Sequence, residues 1–184
     1  VLAEACVQLR KWQAQYGKSA ASIAVNVSVR QFRSPFICEE VESRLQHCGA
    51  DPCGLIIELT ESLLADHRDD IAQKMHRLKK SGIRFALDDF GTGYSSLSYL
   101  KRLPFDQVKI DRSFVRDALT DDGNASLIQA IIAMSHSLGL TVVAEGVETR
   151  EQWEFLCRAG CDEGQGYLFC RPANAADLKF GKIF

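Results

Sequence analysis

Arg84-Phe85-Ala86-Leu87-Asp88-Asp89-Phe90-Gly91-Thr92-Gly93-Tyr94-Ser95-Ser96-Leu97 joins an apolar run to two adjacent carboxylates and a glycine-rich loop. A short apolar run bounded by turn residues reads as a buried strand, so Asp88 and Asp89 emerge together at its carboxyl end. Neighbouring acids repel one another unless cations lie between them, and a carboxylate bridging two divalent metals is a recurrent arrangement. The plainer alternative is an aspartate helix cap followed by a solvated turn.

The pattern recurs along the chain. Ile23–Ser28, Leu55–Glu61, Gln107–Asp111 and Thr141–Glu148 are apolar runs carrying a polar residue near the far end. Stretches of helical period lie between them: Ile71, Met75, Leu78 and Lys79 before the Asp88 strand, and Leu127, Ile128, Ile131, Ile132, Met134 and Leu138 before the Glu145 strand. Alternating strands and helices predict a parallel sheet. Polar residues at several strand ends predict closure as an α/β fold of the (β/α)8 TIM-like barrel type, whose chemistry gathers at the carboxyl ends of its strands. A doubly wound sheet would concentrate its site at one glycine-rich turn, and Gly91-Thr92-Gly93 lacks the third glycine of a dinucleotide fingerprint.

A complete barrel takes about 250 residues, against 184 here and about six strand candidates. Leu2, Cys6, Leu9 and Trp12 have helical spacing without a capping residue before them. The expectation is a barrel that is N-terminally incomplete in this chain, its first strand lying upstream of Val1. A net charge of -2, from 22 basic and 24 acidic side chains, gives no footprint for a nucleic-acid polymer. The seven cysteines include no Cys-x-x-Cys pair and read as reduced thiols, with Cys6, Cys157 and Cys170 in apolar surroundings. No run approaches the ~18 apolar residues of a membrane span, and the expected location is cytoplasmic, with membrane attachment only through other segments of a parent protein. Thr120–Asn124 reads as a surface loop.

Six short motifs then resemble one family. Asn26-Val27-Ser28, Glu58-Leu59-Thr60-Glu61-Ser62, Asp88 to Leu97, Lys109-Ile110-Asp111, Glu145-Gly146-Val147-Glu148-Thr149 and Gln165-Gly166-Tyr167 occur in the order found in EAL-domain cyclic di-GMP phosphodiesterases. On that resemblance residues 1–184 form one EAL domain, the C-terminal three quarters of its barrel. The Glu-Ala-Leu motif of the family's first strand and the arginine after it do not occur here; that glutamate is a metal ligand in active members.

The resemblance implies a two-metal site for Mg2+ or Mn2+, with Asn26, Glu58 and Asp88 as ligands of one ion and Asp88 and Asp89 of the second. Oxygen donors of this kind suit those cations better than zinc. It implies that Lys109 orients a water and offsets negative charge, that Asp89 and Glu145 act catalytically, and that Glu145 also binds metal or serves as general base. Gln165 and Asp111 are implied as substrate contacts, with Asp111 bracing its strand end. Glu61, Glu148, Thr92 and Gly93 are implied as supporting residues, the last two in a loop that leads to a dimerisation helix. The implied reaction converts cyclic di-GMP to linear pGpG in bacterial second-messenger signalling, in a homodimer whose parent carries sensory or GGDEF domains.

Competing readings remain at this level. Asn26 has the character of a cap for a helix near Ser28–Gln31, Glu61 and Glu148 of first-turn acids, and Arg112 and Arg116 of solvated helix charge. His47, His67, His76 and His136 fall away from strand ends and take no catalytic role. At the level of function, a receptor that binds cyclic di-GMP without cleaving it is the alternative. A Schiff-base role for Lys109 is disfavoured, because surrounding carboxylates stabilise its protonated form.

Overall fold

The computed structural model describes residues 1–61, 69–91 and 97–178. Six strands follow chain order in one sheet: β1 (Ile23–Asn26), β2 (Leu55–Thr60), β3 (Arg84–Phe90), β4 (Gln107–Ile110), β5 (Thr141–Glu145) and β6 (Glu163–Gln165). The helices are α1 (Leu2–Tyr16), α2 (Val29–Phe32), α3 (Ile37–Cys48), α4 (Asp69–Lys80), α5 (Leu97–Arg102), α6 (Arg112–Asp117), α7 (Asp122–Ser137) and α8 (Arg150–Ala159). Strand–helix alternation in chain order is the connectivity of a (β/α) barrel. Among the described residues no helix is long and apolar enough to cross a membrane.

The chain divides into two compact units. The first comprises Val1–Ala86 and Ser96–Phe105. In it β1 and β2 pair in parallel, with Asn26 opposite Glu58. Every β2 residue from Leu55 to Leu59 is buried, as a strand covered on both faces requires. The α4 stripe read from the sequence is its buried face: Ile71, Met75 and Leu78 are each fully enclosed. Phe32 and Phe85 meet edge to face at 6.0 Å, a geometry that adds to the area they bury.

The second unit comprises Leu87–Ser95 and Asp106–Phe184. There β4 pairs with β5, and β5 with β6, all in parallel. On α7 the enclosed positions are Ile128, Ile131, Ile132 and Ser135. Leu127, expected in that stripe, is turned outward at 38% exposure. Its neighbour Ile128 takes the core-facing position, in line with Ile131, Ile132 and Ser135 at spacings of three, four and seven.

Two sequence expectations are corrected here. Thr120–Asn124 is a helix start: the Asp121 side chain accepts from the N–H of Gly123 at 2.7 Å and of Asn124 at 3.3 Å, and α7 begins at Asp122. Turn-forming residues before an apolar stripe are equally the chemistry of an N-cap. Cys6 is buried as expected, but Cys157 and Cys170 are exposed. An apolar sequence neighbour at i±1 on a helix faces away from the residue beside it, so local hydrophobicity misreads Cys157.

Candidate functional site

In the first unit the register sets Asn26 directly opposite Glu58, so their side chains share a face. The Asn26 amide donates to Glu58 Oε2 at 2.9 Å. The cap reading of Asn26 therefore fails. Ser28 caps α2, in a reciprocal box with Gln31. Glu58 and Glu61 are both buried acids, 7% and 8% exposed, which excludes a solvated first-turn role for Glu61.

In the second unit the strand ends carry the densest charge. Successive residues of a strand point to opposite faces, so two adjacent aspartates would ordinarily part company. Asp89 breaks the pleat: its φ of 56° is the one positive value at a non-glycine position among the described residues. A left-handed backbone costs an aspartate about 1 kcal/mol or more. The result is a group in which one carboxylate oxygen from each of Asp88, Asp89 and Glu145 lies within 4.8 Å of the others.

Lys109 holds the group together. Its strand partner is Val143, two residues before Glu145 on the same face, so its long stem reaches up to the next layer. The ammonium lies 2.6 Å from Glu145 Oε1 and 3.2 Å from Asp88 Oδ1. Lys109 is 5% exposed, and a lysine buried so deeply needs its counter-ions. Three carboxylates meet one ammonium in this group, and the Arg112 charge also acts on Asp89.

The electrostatics carry the same imbalance. Burial, then the charges of Asp88 and Asp111, push the Asp89 carboxyl above the ordinary aspartate range. Asp88 Oδ1 is a buried oxygen with no hydrogen bond, its pairing with Lys109 being electrostatic only. A set of hard carboxylates with one buried oxygen that takes no hydrogen bond fits a divalent cation such as Mg2+ or Mn2+, and this cluster has none of the thiolates or imidazoles that zinc favours.

Around this cluster the other expected residues take varied positions. Asp111 caps α6, accepting from the Ser113 N–H at 2.9 Å and from the Ser113 hydroxyl. Burial opposes its ionisation, but the hydrogen bonds from Ser113 and Arg112 outweigh burial and hold its carboxyl below the ordinary range. Glu148 precedes the Thr149 cap of α8 and is exposed, so it is not a first-turn acid of that helix. Gln165, register partner of Glu145, is also exposed. A cavity of about 540 Å³ opens here, walled by Asp111, Arg112, Arg116, Gly146 and Glu148. Arg116 is solvated and paired with Asp117 at 2.9 Å. His136 pairs with Asp162 at 2.8 Å, away from these carboxylates. Thr92, Gly93 and His67 lie outside the described residues.

Two glycines allow this packing. Gly146 follows Glu145 at a φ of 68°, and a Cβ there would fall 2.6 Å from Arg112 Cβ. A Cβ at Gly166 would fall 2.1 Å from the Val147 carbonyl oxygen. Sequence reading missed Gln152, a buried amide in the α8 cap. Its signal was present as Thr149-x-x-Gln152, the spacing of a capping box.

The comparisons agree with one another. MucR of Pseudomonas aeruginosa, named as a bifunctional diguanylate cyclase/cyclic di-GMP phosphodiesterase, is 43% identical over 178 residues, covering 97% of this chain and 26% of MucR. NbdA of the same organism, named as a cyclic di-GMP phosphodiesterase, is 42% identical over 179 residues, 97% of this chain and 23% of its own. The chain thus spans about a quarter of the length of the curated relatives it matches. Among solved structures, the PaMucR phosphodiesterase in complex with c-di-GMP matches with a TM-score of 0.92 at 43% identity, over 97% of this chain and 72% of that one. BlrP1 of Klebsiella pneumoniae, a manganese/cy-diGMP complex at pH 6, matches with a TM-score of 0.82 at 33% identity, over 92% of this chain and 42% of that one. These likenesses settle the α/β barrel class. The family profile described as EAL domain covers residues 1–172, and the chain belongs to the EAL-domain family.

Proposed function

We propose that the protein hydrolyses one phosphodiester bond of cyclic di-GMP to give linear pGpG, with Mg2+ or Mn2+ as cofactor. The observation that carries this reading is the carboxylate group of Asp88, Asp89 and Glu145 drawn together around Lys109. Support comes from the relatives, whose names and bound ligands are those of cyclic di-GMP phosphodiesterases.

When bound, a pair of divalent cations supplies Lewis-acid polarisation of the phosphoryl oxygens and lowers the pKa of water. The chain's residues do the rest. Asp88, Asp89 and Glu145 offer the ligand oxygens, with Asn26 and Glu58 as further donors by family resemblance. Lys109 fixes the Glu145 and Asp88 carboxylates in place and offsets charge as a phosphate approaches. Glu145 is the candidate base that takes a proton from the attacking water. The cavity beside Gly146 gives space for part of the dinucleotide, with Asp111 and Gln165 as substrate contacts and Glu61, Glu148, Thr92 and Gly93 in support. A cytoplasmic homodimer attached to sensory or GGDEF domains is the assembly this reading expects.

The test is chromatographic detection of pGpG after the full-length protein is incubated with cyclic di-GMP and Mg2+ or Mn2+. Product that needs the cation and vanishes in Glu145→Ala is the expected result. Binding of cyclic di-GMP with no product would overturn the enzymatic reading and make the protein a receptor.

A further inference from the structure

The Gln152 carboxamide, 7% exposed, grips two stretches of backbone at once. Its Oε1 accepts from the N–H of Glu148 at 2.8 Å and of Thr149 at 3.0 Å. Its Nε2 donates to the Val115 carbonyl at 3.3 Å and reaches the Arg116 carbonyl at 3.5 Å. The first pair belongs to the loop that leaves Glu145. The second belongs to α6, the helix that starts immediately after Asp111 and hence three residues beyond Lys109.

Helix capping accounts for only half of this. At the third position of a capping box the side chain need only accept, and glutamate serves as well as glutamine. The donor end is therefore surplus to α8. It is spent on carbonyls in the last turn of α6, where Val115 also accepts the N–H of Ala118 at 3.4 Å. A buried amide with both ends engaged is a stiff brace, since releasing either end strands a polar group away from water.

The brace spans the two segments whose side chains meet at the site. Lys109 and Glu145 approach to 2.6 Å, and Gly146 packs against Arg112 so closely that no Cβ fits between them. A shift of the β5–α8 loop against α6 would move Glu145 and Glu148 relative to Lys109 and Asp111. Resting on the phosphodiesterase reading above, we propose that Gln152 is a positioning residue, which fixes the Glu145–Glu148 loop against α6 and thereby aims the Glu145 carboxylate.

Two variants of the full-length protein separate this from a plain cap. Gln152→Glu keeps the acceptor and removes the donor. Thr149→Ala removes the other half of the cap, whose hydroxyl accepts from the Gln152 N–H at 3.2 Å, and leaves the brace. Orienting partners behind a metal-binding side chain typically matter about 10- to 100-fold. Gln152→Glu is expected to lower kcat for cyclic di-GMP by about that factor with KM changed less than about threefold, and to raise the Mn2+ midpoint of the thermal shift by about tenfold. Thr149→Ala is expected to leave kcat and that midpoint within about twofold of wild type. Equal effects of the two variants, or a Gln152→Glu protein matching wild type in both readouts, would overturn the brace. Should Gln152→Glu fail to fold, Gln152→Met replaces it, being neutral and close in shape. Absence of product from wild type would refute the phosphodiesterase reading alone, because the Mn2+ midpoints still decide on Gln152.

Discussion

Lys109→Met removes the ammonium that pairs with the Asp88 and Glu145 carboxylates, while its unbranched apolar chain preserves the packing of the stem. At separations of 2.6 and 3.2 Å, the two gross attractions are about 6 and 5 kcal/mol at an effective dielectric of ~20. Most of that is offset by the desolvation of the ammonium, and loss of one partner from a buried ion pair leaves a net cost of about 3–5 kcal/mol. Asp88 and Glu145 keep 12% and 19% of their side-chain surface in contact with solvent, which favours the lower figure. For a chain of this length about 3 kcal/mol corresponds to a melting temperature roughly 6–12 °C lower.

The loss should depend on metal in a set direction. Millimolar Mn2+ should then raise the melting temperature of Lys109→Met more than that of wild type, because binding to the native state stabilises in proportion to affinity, and the carboxylate group has lost the ammonium that competes with a bound cation. A variant that melts within about 1 °C of wild type in EDTA at pH 8 would refute the view of Lys109 as the group's internal counter-ion.

Asp89→Asn should raise the melting temperature in EDTA and reduce the Mn2+ shift. Burial and the Asp88 and Asp111 charges raise its folded pKa, so its ionised form opposes folding at pH 8, and asparagine tolerates the left-handed backbone; a lowered melting temperature would contradict this. Gly166→Ala should destabilise by about 3 kcal/mol, since its Cβ would collide with the Val147 carbonyl that accepts the Leu168 N–H; an unfolding midpoint matching wild type would rule out that close approach. Asp162 is held below the ordinary aspartate range: burial opposes ionisation, but His136 and the Val142 N–H outweigh it. Its contribution is present above about pH 4 and lost as pH falls below that, so the stability of Asp162→Asn should fall less steeply between pH 4 and 2 than that of wild type, by about 1 kcal/mol at most for so exposed a pair.

The fold was legible because its signals are local. Apolar runs such as Leu55–Leu59 announce a strand covered on both faces, and Ile71, Met75 and Leu78 announce a helix stripe, without reference to any distant residue. Where the local signal served two structures equally, it misled. Asp121-Asp122-Gly123-Asn124 has the composition of a loop and the geometry of a helix start, and only the position of the apolar stripe behind it separates the two.

The site was legible in its residue types and not in its geometry. Asp88, Lys109 and Glu145 stand out as charges near the ends of apolar strands, but their convergence depends on the β4–β5 register, which places Lys109 one layer below Glu145. A shift of one residue would send the lysine to the opposite face. The adjacency of Asp88 and Asp89 is misleading for a related reason: in a regular strand it would separate the two carboxylates, and they come together only because Asp89 leaves the β region. The strain at that residue and the repulsion it creates both act against folding of the metal-free chain. They persist because neighbours such as Lys109, and the hydrogen-bonded frame of α6 and α8, hold the strand ends in place. Local stability is thereby given up at the point where a cation is expected to return it.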